Sequence, residues 1–356
     1  MRQLKLSKNM KENVITYGIV VVAFLLVKIL LATGNMSSLM QGLLVPLCVY
    51  VILAVSLNLT VGILGELSLG HAGFMCVGAF ASAFFSKCVQ DIIPISGIRF
   101  LLAFIIGAIA AGLVGFLVGM PVLRLKGDYL AIVTLAFGEI IKNIINVLYI
   151  GKDSDGFHFS MKDSLSLGLK EDGIVIINGA QGITGTPKDA SFEIGFVLIM
   201  ITLIIVLNLI YSRDGRAIMS IRDNLIAAES IGINITKYKL MAFSISAALA
   251  GVAGVLYAHN LSSLMATPKN FGYNMSIMIL VFVVLGGIGN IRGSVIAAVV
   301  LTLLPELLRG LSNYRMLIYA IVLIVMMLFN WSPKLIQLRK KYSLKNLLHQ
   351  KNKEAK

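Results

Sequence analysis

Apolar segments of about 20 residues recur along the chain, separated by short polar segments. An α-helix of that length spans the hydrocarbon core of a bilayer and satisfies its own backbone hydrogen bonds there. The pattern predicts about ten spans, near residues 14–33, 41–61, 66–86, 99–121, 129–150, 192–212, 240–260, 276–289, 294–308 and 314–330. We therefore predict an all-α polytopic membrane protein with eight to ten transmembrane helices in one bundle.

The longest polar interval, residues 151–191, is too short to build a hydrophobic core of its own. We therefore treat residues 1–356 as one transmembrane domain. The first apolar segment is long for a signal peptide and lacks a small-x-small cleavage site, so we expect a retained span.

The chain has a formal charge of +14, and its basic residues are distributed unevenly between the two sides of the membrane. If the spans alternate sides, one side carries the N-terminus, 122–128, 213–239, 290–293 and the C-terminus. That side then holds 20 of the 31 lysines and arginines, which predicts that it is cytoplasmic and that both termini lie inside. Residues 332–356 form a basic cytoplasmic tail suited to anionic lipid, and 151–191 become an extracytoplasmic loop. This sorting argues against nucleic-acid binding.

Metal, redox and catalytic chemistry find no support in the residue spacing. Cys48, Cys76 and Cys88 lie in or beside apolar spans without metal or redox spacing, which is typical of packing residues. No nucleophile and base, and no HExxH or GxSxG motif, accompany the four histidines. We expect no catalytic residue, no bound cofactor and no metal site.

Polar residues inside the fifth span are candidates for a functional site, because charges in a membrane are costly. Thr134 lies in that span, and Glu139, Lys142, Asn143 and Asn146 share one helical face. At about 1.5 Å per residue, Glu139 lies about 15 Å from the end of the span, near the midplane. Two interpretations stay open. Glu139 and Lys142 either neutralise each other and hold the bundle together, or face a substrate path.

The third span adds Ser68 and His71 to the candidates for a substrate path. A single histidine in a membrane either makes packing and hydrogen-bond contacts or contributes to the path. The candidate path residues are Ser68, His71, Thr134, Glu139 and Asn143.

Glycine patterns predict close helix contacts and one interruption. Gly107, Ala111, Gly115 and Gly119 line one face of the fourth span, which allows close approach of a helix in the bundle or in a second membrane subunit. Residues 285–293 contain four glycines inside an apolar stretch. They predict either a tight cytoplasmic turn or a broken helix that faces a pathway.

The charged segment 213–239 lies between two long apolar spans. We predict a short helix over residues 222–232, with Asp223 near its N-terminus. Ile221, Leu225, Ala228 and Gly232 would form its small apolar face. Such a helix either enters a groove of a soluble partner or rests on lipid.

Several sequence blocks between about residues 58 and 300 resemble one family. The chain resembles the LivM-like permease subunits of ABC importers of the branched-chain amino acid type. The blocks are Gly65-x-x-Ser68-x-Gly70-His71-Ala72-x-Phe74, Gly78-Ala79, Asp128-Tyr-Leu-Ala131, Thr134-Leu-Ala-Phe-Gly-Glu139, Gln181-Gly-Ile183, Arg222-Asp-Asn224-x-x-Ala227-Ala228-Glu229-x-x-Gly232-Ile-Asn234 and Gly286-Gly-Ile-Gly289.

This resemblance implies that residues 222–234 are the coupling helix that docks on an ATPase. Ile226 stands where the usual importer signature has Glu before two alanines. The implied coupling residues are Arg222, Asp223, Asn224, Ala227, Ala228, Glu229, Gly232 and Asn234.

The resemblance also implies the partners and the cargo. The chain has no GxxxxGK[ST] loop, so ATP would be used by separate ATPase subunits. A second permease, as a heterodimer, an extracytoplasmic binding protein and membrane lipid complete the expected partners, in a bacterial plasma membrane. The expected cargo is leucine, isoleucine or valine. The alternatives are urea or short amides, and an ion-coupled secondary transporter that uses Glu139 and His71 as proton sites.

Overall fold

The computed structural model describes residues 8–34, 36–90, 92–125, 127–170, 173–308 and 314–331. Within them the chain is mainly helical, and α2 continues directly into a π-helix, Leu59–Leu64. The α-helices are α1 (Lys8–Ala32), α2 (Ser38–Asn58), α3 (His71–Val89), α4 (Ser96–Val122), α5 (Asp128–Val147), α6 (Phe192–Tyr211), α7 (Arg213–Asp223), α8 (Leu225–Ser230), α9 (Ile235–Ala258), α10 (Pro268–Phe271), α11 (Tyr273–Gly286), α12 (Ile291–Leu307) and α13 (Arg315–Trp331).

Eight helical segments in the described part of the chain are long and apolar enough to cross a membrane. Together they make this a multi-pass membrane protein. The remaining two apolar helices, α12 and α13, have 17 residues each. The count of ten spans stays a prediction. The cytoplasmic placement of the termini and the basic tail at 332–356 concern residues that lie largely outside the described ranges.

The third span begins later than the apolar pattern predicts. We expected it to start at residue 66, whereas α3 starts at His71. Glu66 and Ser68 therefore belong to the connection between the π-helix and α3 rather than to a span. Gly65 ends the π-helix with a φ of +81°, a conformation that glycine adopts without strain. The chain therefore leaves the helix at Gly65, and α3 starts only after the connection that follows.

The centre of the bundle is formed by α2, α3 and α9. Every residue of α2 from Val51 to Asn58 is buried, as expected for a helix that is apolar on all sides. The N-terminal helix α1 lies at the periphery, because only 11% of the residues in its most apolar stretch are buried. The protein therefore surrounds α2 with its own helices and exposes α1.

Glycines allow α3 and α9 to approach until their backbones touch. A Cβ added at Gly78 would lie 2.4 Å from the Cα of Gly251. A Cβ added at Gly254 would lie 2.1 Å from the backbone oxygen of Met75. No side chain fits between the two helices at these positions.

The small-residue face of α4 packs on α9 of the same chain. A Cβ at Gly115 would lie 2.3 Å from the Cβ of Ala247, and Ala111 would meet a Cβ at Gly251 at 2.4 Å. This confirms the prediction of close packing inside the bundle. The alternative that this face contacts a second membrane subunit is wrong.

The glycine-rich segment 285–293 is a tight turn between antiparallel helices. Gly286 ends α11, Asn290 caps α12, and Gly287 and Gly289 have φ values of +96° and +79°. A Cβ at Gly293 would lie 1.7 Å from the oxygen of Gly286, so the two helices nearly touch beside the turn. The turn interpretation is confirmed, and the broken helix facing a pathway is wrong.

The interval 151–191 contains β-structure, which corrects the prediction of an all-α protein. Strands β1 (Tyr149–Asp153), β2 (Gly156–Ser160) and β3 (Ile174–Asn178) form an antiparallel sheet in the order β2-β1-β3. A second pair joins β4 (Ile183–Thr184) to β5 (Ser263–Leu264). Lys87 at the end of α3 donates to the carbonyl of Thr184 in β4, so the β4–β5 pair is attached to the helical bundle.

We predict that Gly254→Ala destabilises the protein. The added methyl group would meet the backbone of α3, which cannot rotate away, and overpacking of this kind costs about 1–3 kcal/mol. Gly42→Ala in α2 is the control, since nothing lies within 4 Å of its added Cβ. Thermal unfolding in detergent should show a lower Tm for Gly254→Ala alone. Equal Tm values for both variants would contradict the contact between α3 and α9.

Candidate functional site

Thr134 joins α5 to the start of α3. The backbone N–H of Leu69 donates to Thr134 Oγ1 at 3.0 Å, and Thr134 itself is buried. A Cβ added at Gly70 would lie 2.2 Å from the Thr134 carbonyl oxygen, and one at Gly73 would lie 2.7 Å from the Cα of Gly138. Thr134 therefore acts as a structural contact between two spans.

His71 is buried, and its ring is hydrogen-bonded to α2. Its Nε2 lies 2.7 Å from Ser56 Oγ, and the Ser56 hydroxyl donates to the Leu53 carbonyl at 3.0 Å. Because that hydroxyl proton is directed to Leu53, Nε2 of His71 is assigned as the donor to Ser56. Of the two interpretations left open for His71, the structure favours the packing and hydrogen-bonding one.

The polar face of α5 fastens this helix to the start of α11. Glu139 forms an ion pair with Lys142, and its other carboxylate oxygen accepts from the Tyr273 N–H at 2.8 Å. That N–H is one of the first amides of α11, which have no partner within the helix. Asn146 donates to the Ala266 carbonyl at 3.0 Å. The mutual neutralisation of Glu139 and Lys142 is confirmed, and the pair also connects two spans.

Asn143 differs from these residues because its side chain is exposed on the surface of the chain. It shares the outward face of α5 with Ala136, Ile140 and Ile144, which are also exposed. An amide on the surface of a membrane span is stable when protein covers it or when it lines a water-filled cavity. The outward face of α5 is therefore the part of this site that can contact a partner or a substrate.

Ser68 lies in the connection before α3, where it is buried. Its Oγ has no hydrogen-bond partner among the described residues. It lies one residue from Leu69, which binds Thr134. The structure thus brings Ser68 and Thr134 close together. His71 and Glu139, in contrast, bind different parts of the chain: His71 binds Ser56 on α2, and Glu139 binds the start of α11.

The coupling segment consists of two helices instead of the single helix predicted over residues 222–232. Helix α7 ends at Asp223, and α8 begins at Leu225. Asn224 has an extended backbone, and its Oδ1 accepts from the Ala227 N–H at 3.0 Å, so it caps α8. Asp223 is the last residue of α7 and directly precedes the N-cap of α8, so it lies near a helix N-terminus, as predicted, although not as part of the helix that starts there.

The apolar face predicted for this segment lies largely against the chain itself. Ile221 and Ala228 are buried. The side chains that point outward are Ile226 and Ile231, which are 78% and 75% exposed, and Gly232 is exposed beside them. Sequence reasoning missed both isoleucines. Two β-branched apolar residues five positions apart in a charged loop were the signal that could have identified them.

The remaining coupling candidates divide into inward and outward residues. Arg222 Nη1 donates to the Gly62 carbonyl at 2.9 Å, and its Nη2 pairs with Asp223 at 2.8 Å. Asn234 caps α9 through a hydrogen bond from the Lys237 N–H at 3.0 Å. Ala227 and Glu229 are exposed on α8. Arg222, Asn224 and Asn234 thus bind their own chain.

Comparison with known proteins places this geometry in a family. Residues 39–329 match the model of the family described as the permease component of the branched-chain amino acid transport system. The match includes α2 to α12, and with them both the polar residues of α5 and the segment 213–239. The chain belongs to this family. It is a permease subunit, and its helices place it in the membrane as a multi-pass protein.

Relatives extend this finding to transport systems of two kinds. The permease is 34% identical to the high-affinity branched-chain amino acid transport system permease protein LivM of Salmonella typhimurium, over 80% of this chain and 67% of the relative. LivM of Escherichia coli is also 34% identical, over 84% of this chain and 70% of the relative. The ribose import permease protein RbsC of Escherichia coli is 28% identical, over 62% and 72%. No solved structure matches.

We predict that Glu139→Ala destabilises this permease. Lys142, whose side chain is 7% exposed, would lose its partner, and breaking a buried pair in this way costs about 3–5 kcal/mol. Asp155→Ala is the control, because the Lys170–Asp155 pair is more than half exposed and such pairs contribute about 0–1 kcal/mol. Tm in detergent should fall for Glu139→Ala only, and Lys142→Met added to Glu139→Ala should restore part of it. A Glu139→Ala protein with an unchanged Tm would show that the pair does not hold α5 to the bundle.

Proposed function

We propose that this chain is the membrane-spanning permease of an ATP-driven importer for leucine, isoleucine and valine. The observation that carries the proposal is the family match over residues 39–329. The chain would bind no cofactor itself and catalyse no reaction, and ATP would be hydrolysed by separate ATPase subunits. A second permease and an extracytoplasmic binding protein would complete the importer.

Helix α8 is the proposed docking site for the ATPase. Ile226 and Ile231 expose most of their surface next to Ala227 and Gly232, in a segment that the distribution of basic residues assigns to the cytoplasm. Exposed apolar residues on a short helix are suited to a groove of a soluble partner. The cap at Asn224 and the buried Ala228 hold these isoleucines in a fixed position.

The outward face of α5 is the proposed substrate path. Asn143 is exposed there, and Glu139 lies on the adjacent face at 26% side-chain exposure. A second permease packed opposite this face would enclose a polar passage between the two subunits. Rocking of the subunits against each other would then open the passage to one side at a time.

Branched-chain amino acids are the proposed cargo because the family and the two LivM relatives carry that description. Urea or short amides remain the alternative cargo, and the binding protein would set the choice. The three-stranded sheet and the segment around it are the proposed docking surface for that protein. The ion-coupled alternative is less well supported, because Glu139 is paired with Lys142 and His71 is hydrogen-bonded to Ser56.

We predict that Ile226→Asp together with Ile231→Asp removes the ATPase from the complex. Charged side chains at position 226 on α8 and at position 231 directly after it cannot enter an apolar groove without losing hydration. Ile92→Asp is the control, since Ile92 is 70% exposed on the opposite, outer end of α3. Affinity purification from the native membranes should recover the ATPase with the wild type and with Ile92→Asp only. Recovery of ATPase with the double variant at the wild-type level would contradict docking through α8.

We also predict that water reaches Asn143 in the assembled importer. In a protein whose native cysteines are replaced, Asn143→Cys should react with a charged thiol reagent, and leucine transport should slow the reaction. Leu117→Cys on α4, where Leu117 is 60% exposed, is the lipid-facing control and should react at least tenfold more slowly. Equal reaction rates at both positions would remove Asn143 from the substrate path.

A further inference from the structure

The connection between α2 and α3, residues 59–70, is bound by residues of segment 213–239 that flank α8 on both sides. We call residues 59–70 the α2–α3 connection. Arg222 at the end of α7 contacts its first half, and Lys239 near the start of α9 contacts its second half. Helix α8, the proposed docking site, lies between Arg222 and Lys239 in sequence. Movement of α8 therefore acts on the α2–α3 connection from two points.

The first contact depends on the π-helix. Because the π-helix Leu59–Leu64 ends at Gly65, the carbonyl of Gly62 has no helical partner five residues ahead. Arg222 Nη1 donates to that carbonyl at 2.9 Å, in a charge-assisted hydrogen bond. Gly65 lies against the same side chain, since a Cβ added there would be 2.5 Å from Arg222 Cγ. The end of the π-helix thus binds the Arg222 guanidinium through the Gly62 carbonyl and packs against its aliphatic chain at Gly65.

The second contact is the ion pair between Lys239 and Glu66. Their side chains are 7% and 15% exposed, so the pair is largely removed from solvent. A pair of this kind keeps its geometry, because separating the two charges would leave each without a partner. It binds the part of the connection that follows the π-helix to the start of α9.

The α2–α3 connection continues to the proposed substrate path. Its Leu69 N–H donates to Thr134 Oγ1, and Gly70 contacts the Thr134 carbonyl on α5. Thr134 lies one and a half turns before Glu139, on the helix that presents Asn143. These contacts join Arg222 and Lys239, which flank α8 in sequence, to α5 through the α2–α3 connection.

A third attachment fixes the start of the connection. The Asn58 amide donates to Ser294 Oγ at 2.8 Å and accepts from the Gly289 N–H at 2.9 Å. Gly62 is packed against the same turn, since its added Cβ would lie 2.3 Å from the nitrogen of Gly289. The end of α2 and Gly62 are therefore held against this turn, while Leu69 and Gly70 at the other end of the connection contact α5.

We infer that the α2–α3 connection transmits movement of the docking helix α8 to α5, and that Arg222 and Lys239 are positioning residues for this transmission. The inference rests on the proposed function and gives Arg222 a role different from ATPase docking. Arg222 acts through the Gly62 carbonyl and the surface of Gly65, and Lys239 acts through Glu66. Loss of either contact separates ATP hydrolysis from substrate movement.

The test uses the complete complex, purified with its ATPase and reconstituted in vesicles with its binding protein. Arg222→Met removes the hydrogen bond to Gly62, and Gly65→Ala places a methyl group against the Arg222 side chain. Gly34→Ala is the matched control, because Gly34 also has a positive φ, +68°, just after the end of a helix, but nothing lies within 4 Å of its added Cβ. The measured quantities are ATPase content, ATP hydrolysis and leucine uptake per ATP hydrolysed.

We expect both Arg222→Met and Gly65→Ala to keep their ATPase subunits and to lose at least tenfold in leucine uptake per ATP. Arg222→Lys, which keeps a positive donor of similar reach, should recover part of this ratio. The Gly34→Ala complex should match the wild type in uptake per ATP, and its change in Tm gives the cost of the positive φ alone. Retained ATPase content and a cooperative thermal transition verify that the Arg222→Met and Gly65→Ala complexes are folded.

Two results would overturn the inference. Wild-type uptake per ATP in both variants would show that the contacts transmit nothing. Loss of the ATPase from Arg222→Met, as expected for the isoleucine variants of α8, would make Arg222 a docking residue. Failure of the proposed function itself is distinct, since the wild-type complex would then show no ATP-dependent leucine uptake.

Discussion

Backbone contact between α3 and α9 is the constraint on which the positions of the candidate residues depend. Gly78, Gly251 and Gly254 remove the side chains that would keep the two helices apart. Without a hydrophobic driving force between helices in lipid, such close packing is a main source of association energy. The contact fixes α3, which directly follows the residues that meet α5 at Thr134, and it fixes α9, whose first turns carry Lys239.

The two ends of the bundle differ in secondary structure, although ion pairs and charged side chains on backbone carbonyls stabilise both. At the end that carries segment 213–239, the contacts are charged or use backbone carbonyls, as with Arg222 on Gly62 and Lys239 on Glu66. At the other end, a short antiparallel sheet covers the helices, and the buried Arg99–Asp189 pair at 2.8 Å ties the segment between β4 and α6 to α4. In the proposed importer, the ATPase would approach the end that carries segment 213–239, and the substrate-binding protein would approach the sheet.

Much of the fold follows from sequence patterns that act locally. Apolar length predicted the spans, and the glycines at 286–293 predicted the turn between α11 and α12, because both signals concern neighbouring residues. The break at Asn224 was also readable, since asparagine is a preferred helix cap. The sheet at 149–178 was missed because its strands have five residues each and depend on pairing across the interval.

The candidate site was less accessible to sequence reasoning than the fold. Arg222 was expected to face a partner, yet it binds Gly62, which is 160 positions away. The Asn58–Ser294 contact spans 236 positions and leaves no local signal. In contrast, the Glu139–Lys142 pair was one of the two interpretations that the sequence left open, because a separation of three residues places both side chains on one helical face. Contacts between distant spans are decided by packing, which a single sequence does not display.

The most direct measurement is leucine uptake by vesicles that contain the chain purified from its own membranes together with whatever proteins accompany it. We predict that the preparation contains a soluble ATPase and that uptake requires ATP on the side of α8 and an added binding protein on the other side. Leucine accumulation by the chain alone, driven by a proton gradient without ATP, would contradict the importer and identify a secondary transporter.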